Sequence, residues 1–133
     1  MLLNTRVPLL ALCLVSWLIY MPPSYGQDPA TNTVQSYFTA LKAGDVSTLQ
    51  RLVDGPYYQQ IKVLLEQNTE YPTFLKNRYA QVQFLIDEVI TQSNGTAIKV
   101  RYDFWPNDTQ RKLLIVQPDK NGIWKITQIR DIN

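Results

Sequence analysis

The chain contains no histidine and a single cysteine, Cys13, which lies in an apolar stretch near the start. Beyond residue 13 it therefore lacks the commonest general base, a thiol nucleophile, and the nitrogen and sulfur ligands that hold zinc or copper. One cysteine cannot close an internal disulfide, so packing alone must stabilise the fold. Charge is scarce as well. Charged residues make up 18% of the chain, and 13 basic against 11 acidic side chains leave a net charge of +2. That field is too weak to imply nucleic acid as a partner. The five glycines are scattered, which excludes a phosphate-cradling glycine loop. The longest apolar run, residues 7–21, falls short of the roughly 18 residues a membrane-spanning helix needs. No metal cluster or nucleophile triad can be assembled, and no cofactor is expected.

What is present at the start has an order of its own. Arg6 precedes the apolar run, Pro22-Pro23 follows it, and Ser24-Tyr25-Gly26 puts small residues three and one positions before Gln27. This is the layout of a secretory signal, residues 1–26, cleaved between Gly26 and Gln27. A periplasmic or secreted protein is expected, with no stable membrane anchor after cleavage; an uncleaved anchor is the alternative. An exported chain without cysteines fits a bacterial envelope better than a disulfide-rich extracellular setting. Residues 27–133 suffice for one compact domain.

That domain divides into a helical front and a strand-rich back. Asp28-Pro29 starts a helix, with Asp as N-cap and Pro in the first turn. Val34, Phe38 and Leu41 form its apolar stripe, and Gly44 stops it. Asp45 caps a short second helix carrying Val46, Leu49, Leu52 and Val53. Gly55-Pro56 restarts a third with Tyr57, Ile61, Leu64 and Leu65, expected to end at Tyr71-Pro72 because the residue before proline is pushed from helical angles. A short turn over residues 73–77 then leads to the sheet. From Tyr79 the period becomes two: Val82, Phe84 and Ile86 alternate with polar neighbours. Asn94-Gly95 reads as a two-residue hairpin turn. Ile98, Val100, Tyr102 and Phe104 then share one face, and Lys99, Arg101, Asp103 and Trp105 the other. Leu113-Leu114-Ile115-Val116 is apolar on both faces, and Asn121-Gly122 turns into a closing strand with Trp124, Ile126 and Ile129. The predicted class is α+β, with N-terminal helices packed on a curved four-stranded antiparallel sheet.

The pattern Val34-x-x-Tyr37-Phe38-x-x-Leu41-x-x-Gly44-Asp45-x-x-x-Leu49-x-x-Leu52 resembles the opening of nuclear transport factor 2-like domains, also called cystatin-like. Asn121-Gly122-Ile123-Trp124-Lys125-Ile126 is similar to the final hairpin of many members. The resemblance covers most of residues 28–132 and looks closest to small uncharacterised secreted bacterial domains. It implies a fold and little about function, since the scaffold hosts isomerases, cyclases, dehydratases, transport factors and secretion-assembly proteins.

The resemblance also implies where chemistry would sit: a pocket between the helices and the concave sheet face. Without histidine, the remaining catalytic scheme pairs an Asp or Glu base with a Tyr donor, as ketosteroid isomerase-like enzymes do. Such a carboxylate needs a desolvated pocket. Asp87-Glu88 is the candidate pair, if a bulge in the first strand turns one carboxylate inward; a bulge that turns both outward leaves a plain wet face. Tyr37, Tyr58, Tyr102 and Trp124 are the candidate ligand-binding residues, apolar rings with polar tips. The same aromatics equally suit a filled core. Lys99, Arg101, Lys112 and Lys125 read as a basic sheet face or simply its solvated side.

These observations favour a non-enzymatic domain of the cell envelope that binds a small apolar ligand or a protein partner. The alternatives are a carboxylate/tyrosine isomerase or cyclase, and a structural part of an envelope or secretion assembly. Because only one sheet face can meet the helices, the apolar strand at Leu114 and Val116, with Trp105, is expected to leave an outer patch that pairs with a second copy.

Overall fold

A computed structural model describes residues 28–133; the proposed signal segment and Cys13 lie outside the described residues. Four helices precede four strands: α1 (Pro29–Ala43), α2 (Val46–Leu52), α3 (Pro56–Gln67), α4 (Tyr71–Tyr79), β1 (Gln83–Gln92), β2 (Gly95–Phe104), β3 (Asp108–Pro118) and β4 (Trp124–Ile132). Asp28 caps α1 by accepting from the Thr31 N–H at 3.3 Å. Ala30, Val34, Phe38 and Leu41 are buried along one stripe of that helix. Gly44 ends it at φ 65°, and a side chain there would meet the Pro72 carbonyl oxygen at 2.3 Å. Glycine is thus required twice, by the left-handed backbone and by the first turn of α4 packed against it.

The sequence expectation fails at Tyr71-Pro72. α3 stops earlier, at Gln67, and Tyr71-Pro72 opens α4, which has proline in its first turn. A proline there lacks only an N–H that the helix does not use, so the residue that ends one helix can equally begin another. The expected short turn at 73–77 is a nine-residue helix, and the first strand begins at Gln83 instead of Tyr79.

The sheet is an antiparallel meander in the order β1-β2-β3-β4. Ile98 pairs with Leu114, and Leu114 with Ile129, so a continuous apolar row crosses the inner face. Ile98, Val100, Leu114, Val116 and Ile126 are fully buried under the helices. α1 lies against β2, β3 and β4. Thr33 fixes this docking, its hydroxyl lying 2.9 Å from the Pro29 carbonyl and 3.1 Å from the Trp124 carbonyl. Phe38 stacks on Phe84 with centroids 4.4 Å apart, and Tyr102 meets Phe84 edge-on at 4.8 Å, geometries that aromatic pairs favour.

Three further expectations need correction. The tight turn after β1 is Ser93-Asn94, because Gln92 pairs with Gly95 and Gly95 is already in β2. Gly95 is needed for close approach, not for a positive φ: a side chain there would meet the Val116 carbonyl oxygen at 2.6 Å. Leu114 and Val116, expected on the outer patch, are 0% exposed on the inner face; Leu113 and Ile115 point outward instead. Lys112, expected with Lys99 and Arg101, shares the inner face with Leu114, two residues on. The period of two is rigid, so assigning one of these residues to the wrong face moves its whole set.

Candidate functional site

Between the helices and the inner sheet face lies a cavity of about 310 Å³, at the small end of the range for ligand pockets. Every helix and three strands contribute to its walls. α1 brings Tyr37 and Leu41, α3 brings Tyr57, Gln60 and Ile61, and α4 brings Tyr71 and Tyr79; Tyr102, Lys112 and Ile129 come from β2, β3 and β4. Among the described residues, three larger hollows, of about 450, 490 and 330 Å³, are open grooves on the surface: one along α1 and α2, one at the β2–β3 turn, and one beside Lys112 and Asp131.

Of the four sequence candidates, the structure brings Tyr37 and Tyr102 together at this cavity. Tyr58 is 38% exposed; one residue turns a helix by about 100°, which hands the inward position to Tyr57. Trp124 packs partly buried against the core at the start of β4, away from the cavity lining. Sequence reasoning missed Tyr57, Tyr71, Tyr79 and Lys112 as lining residues. For Lys112 a signal existed, since counting back two from the apolar Leu114 places it inward.

The cavity mixes aliphatic and aromatic walls with polar groups, most of which are tyrosine hydroxyls. Tyr57 donates its hydroxyl to the Ile129 carbonyl, pinning α3 to β4. Among the described residues, the hydroxyls of Tyr37, Tyr71, Tyr79 and Tyr102 make no such bond. Burial raises the Tyr37 hydroxyl far above its ordinary pKa, and the neighbouring hydroxyls of Tyr79, Tyr71 and Tyr57 add to the effect. Burial likewise raises Tyr102, assisted by Tyr37 and Tyr79, and Tyr71 to a lesser extent. All remain protonated at neutral pH and available as donors. At the rim, the Lys112 ammonium stands 5.5 Å from the Tyr102 ring centroid and 2.5 Å from an Asp131 carboxylate oxygen.

The candidate catalytic pair lies elsewhere. A bulge does fall at Asp87, between Ile86 and Glu88 in the β1–β2 register, but both carboxylates are exposed on the outer face. Glu88 pairs with Lys99 at 3.2 Å, and Asp87 approaches Arg101 at 4.0 Å. Among the described residues, no Asp or Glu lines the cavity itself; Asp131, at the rim on Lys112, is a carboxylate whose charge reaches the cavity tyrosine Tyr102. No group of three or more Asp, Glu, His or Cys side chains comes together among those residues, and none of their helices is long and apolar enough to cross a membrane.

Helices laid over one face of a curved, unclosed antiparallel sheet, with a cavity between the layers, define an α+β cone. It is the nuclear transport factor 2-like fold. An NTF-2 like protein of unknown function from Silicibacter pomeroyi superposes with a TM-score of 0.51 at 19% identity, covering 77% of this chain and 92% of that one. A proposed ketosteroid isomerase from Shewanella frigidimarina gives a TM-score of 0.58 at 12% identity, covering 81% and 98%. No family model matches the sequence, nor does any curated protein. The fold includes ligand-binding and isomerase-type members, and at these identities the likeness extends to the fold alone.

Proposed function

We propose that this chain is a non-enzymatic binding domain of the bacterial cell envelope, which takes a small, mostly apolar ligand into the tyrosine-lined cavity. The observation that carries this reading is the cavity itself: aliphatic and aromatic walls set with tyrosine hydroxyls that have, among the described residues, no protein partner apart from that of Tyr57, and among those residues no lining carboxylate to serve as a base. Apolar lining supplies affinity through burial, and a few fixed polar groups supply orientation. The envelope location rests on the order of residues 1–26.

A thermal-shift panel of small compounds tests the binding reading. Compounds that raise the melting temperature of the unaltered protein should fail to do so with Leu64→Trp, which fills the cavity from its partly exposed α3 wall. If no compound separates the two proteins, the hollow is a packing gap and the reading is wrong.

For the outer sheet face we propose pairing with a second copy. Leu85, Ile90, Leu113 and Ile115 project there, and Ala97 between them is only 4% exposed. Charge supports a symmetric arrangement. Glu88, Lys99, Leu113 and Arg130 form one row across the sheet, acidic at β1 and basic at β4. A two-fold axis along the strands sets Glu88 of each copy over Arg130 of the other.

A further inference from the structure

We infer that the cavity takes an organic anion, an apolar-bodied carboxylate whose acid group meets Lys112 and whose body lies among the tyrosines. The inference rests on the binding reading above and adds the chemical class of the ligand. Lys112 is the one charged side chain lining the cavity among the described residues. It occupies an unusual place for a lysine: an inward position on β3, opposite the fully buried Val100, with a side chain only 19% exposed.

Its present counter-ion is close but lies mostly in water. Asp131, its cross-strand neighbour on β4, is 84% exposed. A pair with one partner in water is screened and gains little. A carboxylate arriving from the cavity side reaches the same ammonium in a less polar setting, where the attraction is stronger. The remaining polar groups favour the same sign. Among the described residues, the hydroxyls of Tyr37, Tyr71, Tyr79 and Tyr102 have no protein acceptor, and a carboxylate accepts from several donors at once. A cationic ligand would meet Lys112 with, among the described residues, no lining carboxylate to compensate, and a wholly apolar one would offer the lining hydroxyls no acceptor.

The test compares two probes with one body, 1-naphthaleneacetate and the uncharged 1-naphthaleneacetamide, by titration calorimetry at pH 7. The acid should bind at least about tenfold more tightly, as a charge-assisted contact adds over a neutral one. Lys112→Met should abolish that preference while leaving amide binding intact, and Lys112→Arg should keep it. Asp131→Asn, with folding checked by the melting temperature, should increase acid affinity by removing the competing carboxylate. Equal binding of acid and amide, both blocked by Leu64→Trp, would overturn the anion inference and leave the cavity reading standing. A preference that survives Lys112→Met would also overturn it. If neither probe binds, or if binding persists in Leu64→Trp, the cavity reading falls as well.

Discussion

The two faces of the sheet are made by the same strands and live in different physical worlds. On the inner face Ile98, Val100, Leu114, Val116 and Ile126 are sealed under α1, and Lys112, paired with Asp131 across β3 and β4, stands where the helix cover opens into the cavity. On the outer face Glu88 and Lys99 form a half-wet pair beside Leu113, and Arg101 lies near Asp87 and Asp103 in the row of Arg111. The difference teaches that apolar composition does not identify the core: Leu113 and Leu114 are the same residue type, and neighbouring positions give them opposite tasks. A methylene removed from the inner row leaves a void in a close-packed layer, whereas one removed from the outer row is met by water.

The largest effect that would break this contrast is a cavity on the inner face. Leu114→Ala should cost about 2–5 kcal/mol, and Leu113→Ala about 1 kcal/mol or less, both read from urea unfolding. Equal losses would show that the outer face is as sealed as the inner one.

An intermediate effect comes from the tyrosines. Burial raises the folded-state pKa of Tyr37 and Tyr102 above the value of about 10 that they have in the unfolded chain. The folded protein therefore holds protons that the unfolded one releases. Their contribution is complete below about pH 10 and is lost as pH rises through the folded-state values. The urea midpoint should accordingly fall above about pH 10, and Tyr37→Phe should flatten that fall. A midpoint equally steep in Tyr37→Phe would mean that the Tyr37 hydroxyl is in free contact with water.

The smallest effect on stability, and the sharpest on association, is expected outside. Leu113→Lys combined with Ile115→Lys should turn a dimer into a monomer in sedimentation, with the melting temperature shifted by a few degrees at most. A monomer already present in the unaltered protein at high concentration would end the pairing proposal.

Local signals in the sequence located the elements whose cause is local. Asp28-Pro29, Gly44 and the Val34-Phe38-Leu41 stripe placed α1, since capping and helical period act within a few residues. The meander followed from alternation and turn residues, and the bulge from an acidic doublet in an apolar strand. Where one residue serves two local purposes, the reading went astray: Tyr71-Pro72 starts a helix where a stop was expected, and Gly95 serves packing where a turn was expected. The tyrosine cavity was half legible. Tyr37 and Tyr102 could be proposed from their stripes, but Tyr57 and Tyr58 differ only in a rotation that α3 settles by docking on Ile129.

The sequence by itself determined the fold class, the exclusion of histidine chemistry, and the apolar and polar periods of each element, because each is a matter of composition or short-range sterics. Only the tertiary structure decided which face of β3 is buried, that Asp87 and Glu88 point to solvent, and that five tyrosines and Lys112 meet around one space. Those outcomes depend on how α1, α3 and α4 settle on the sheet, a long-range packing free energy that no single segment contains.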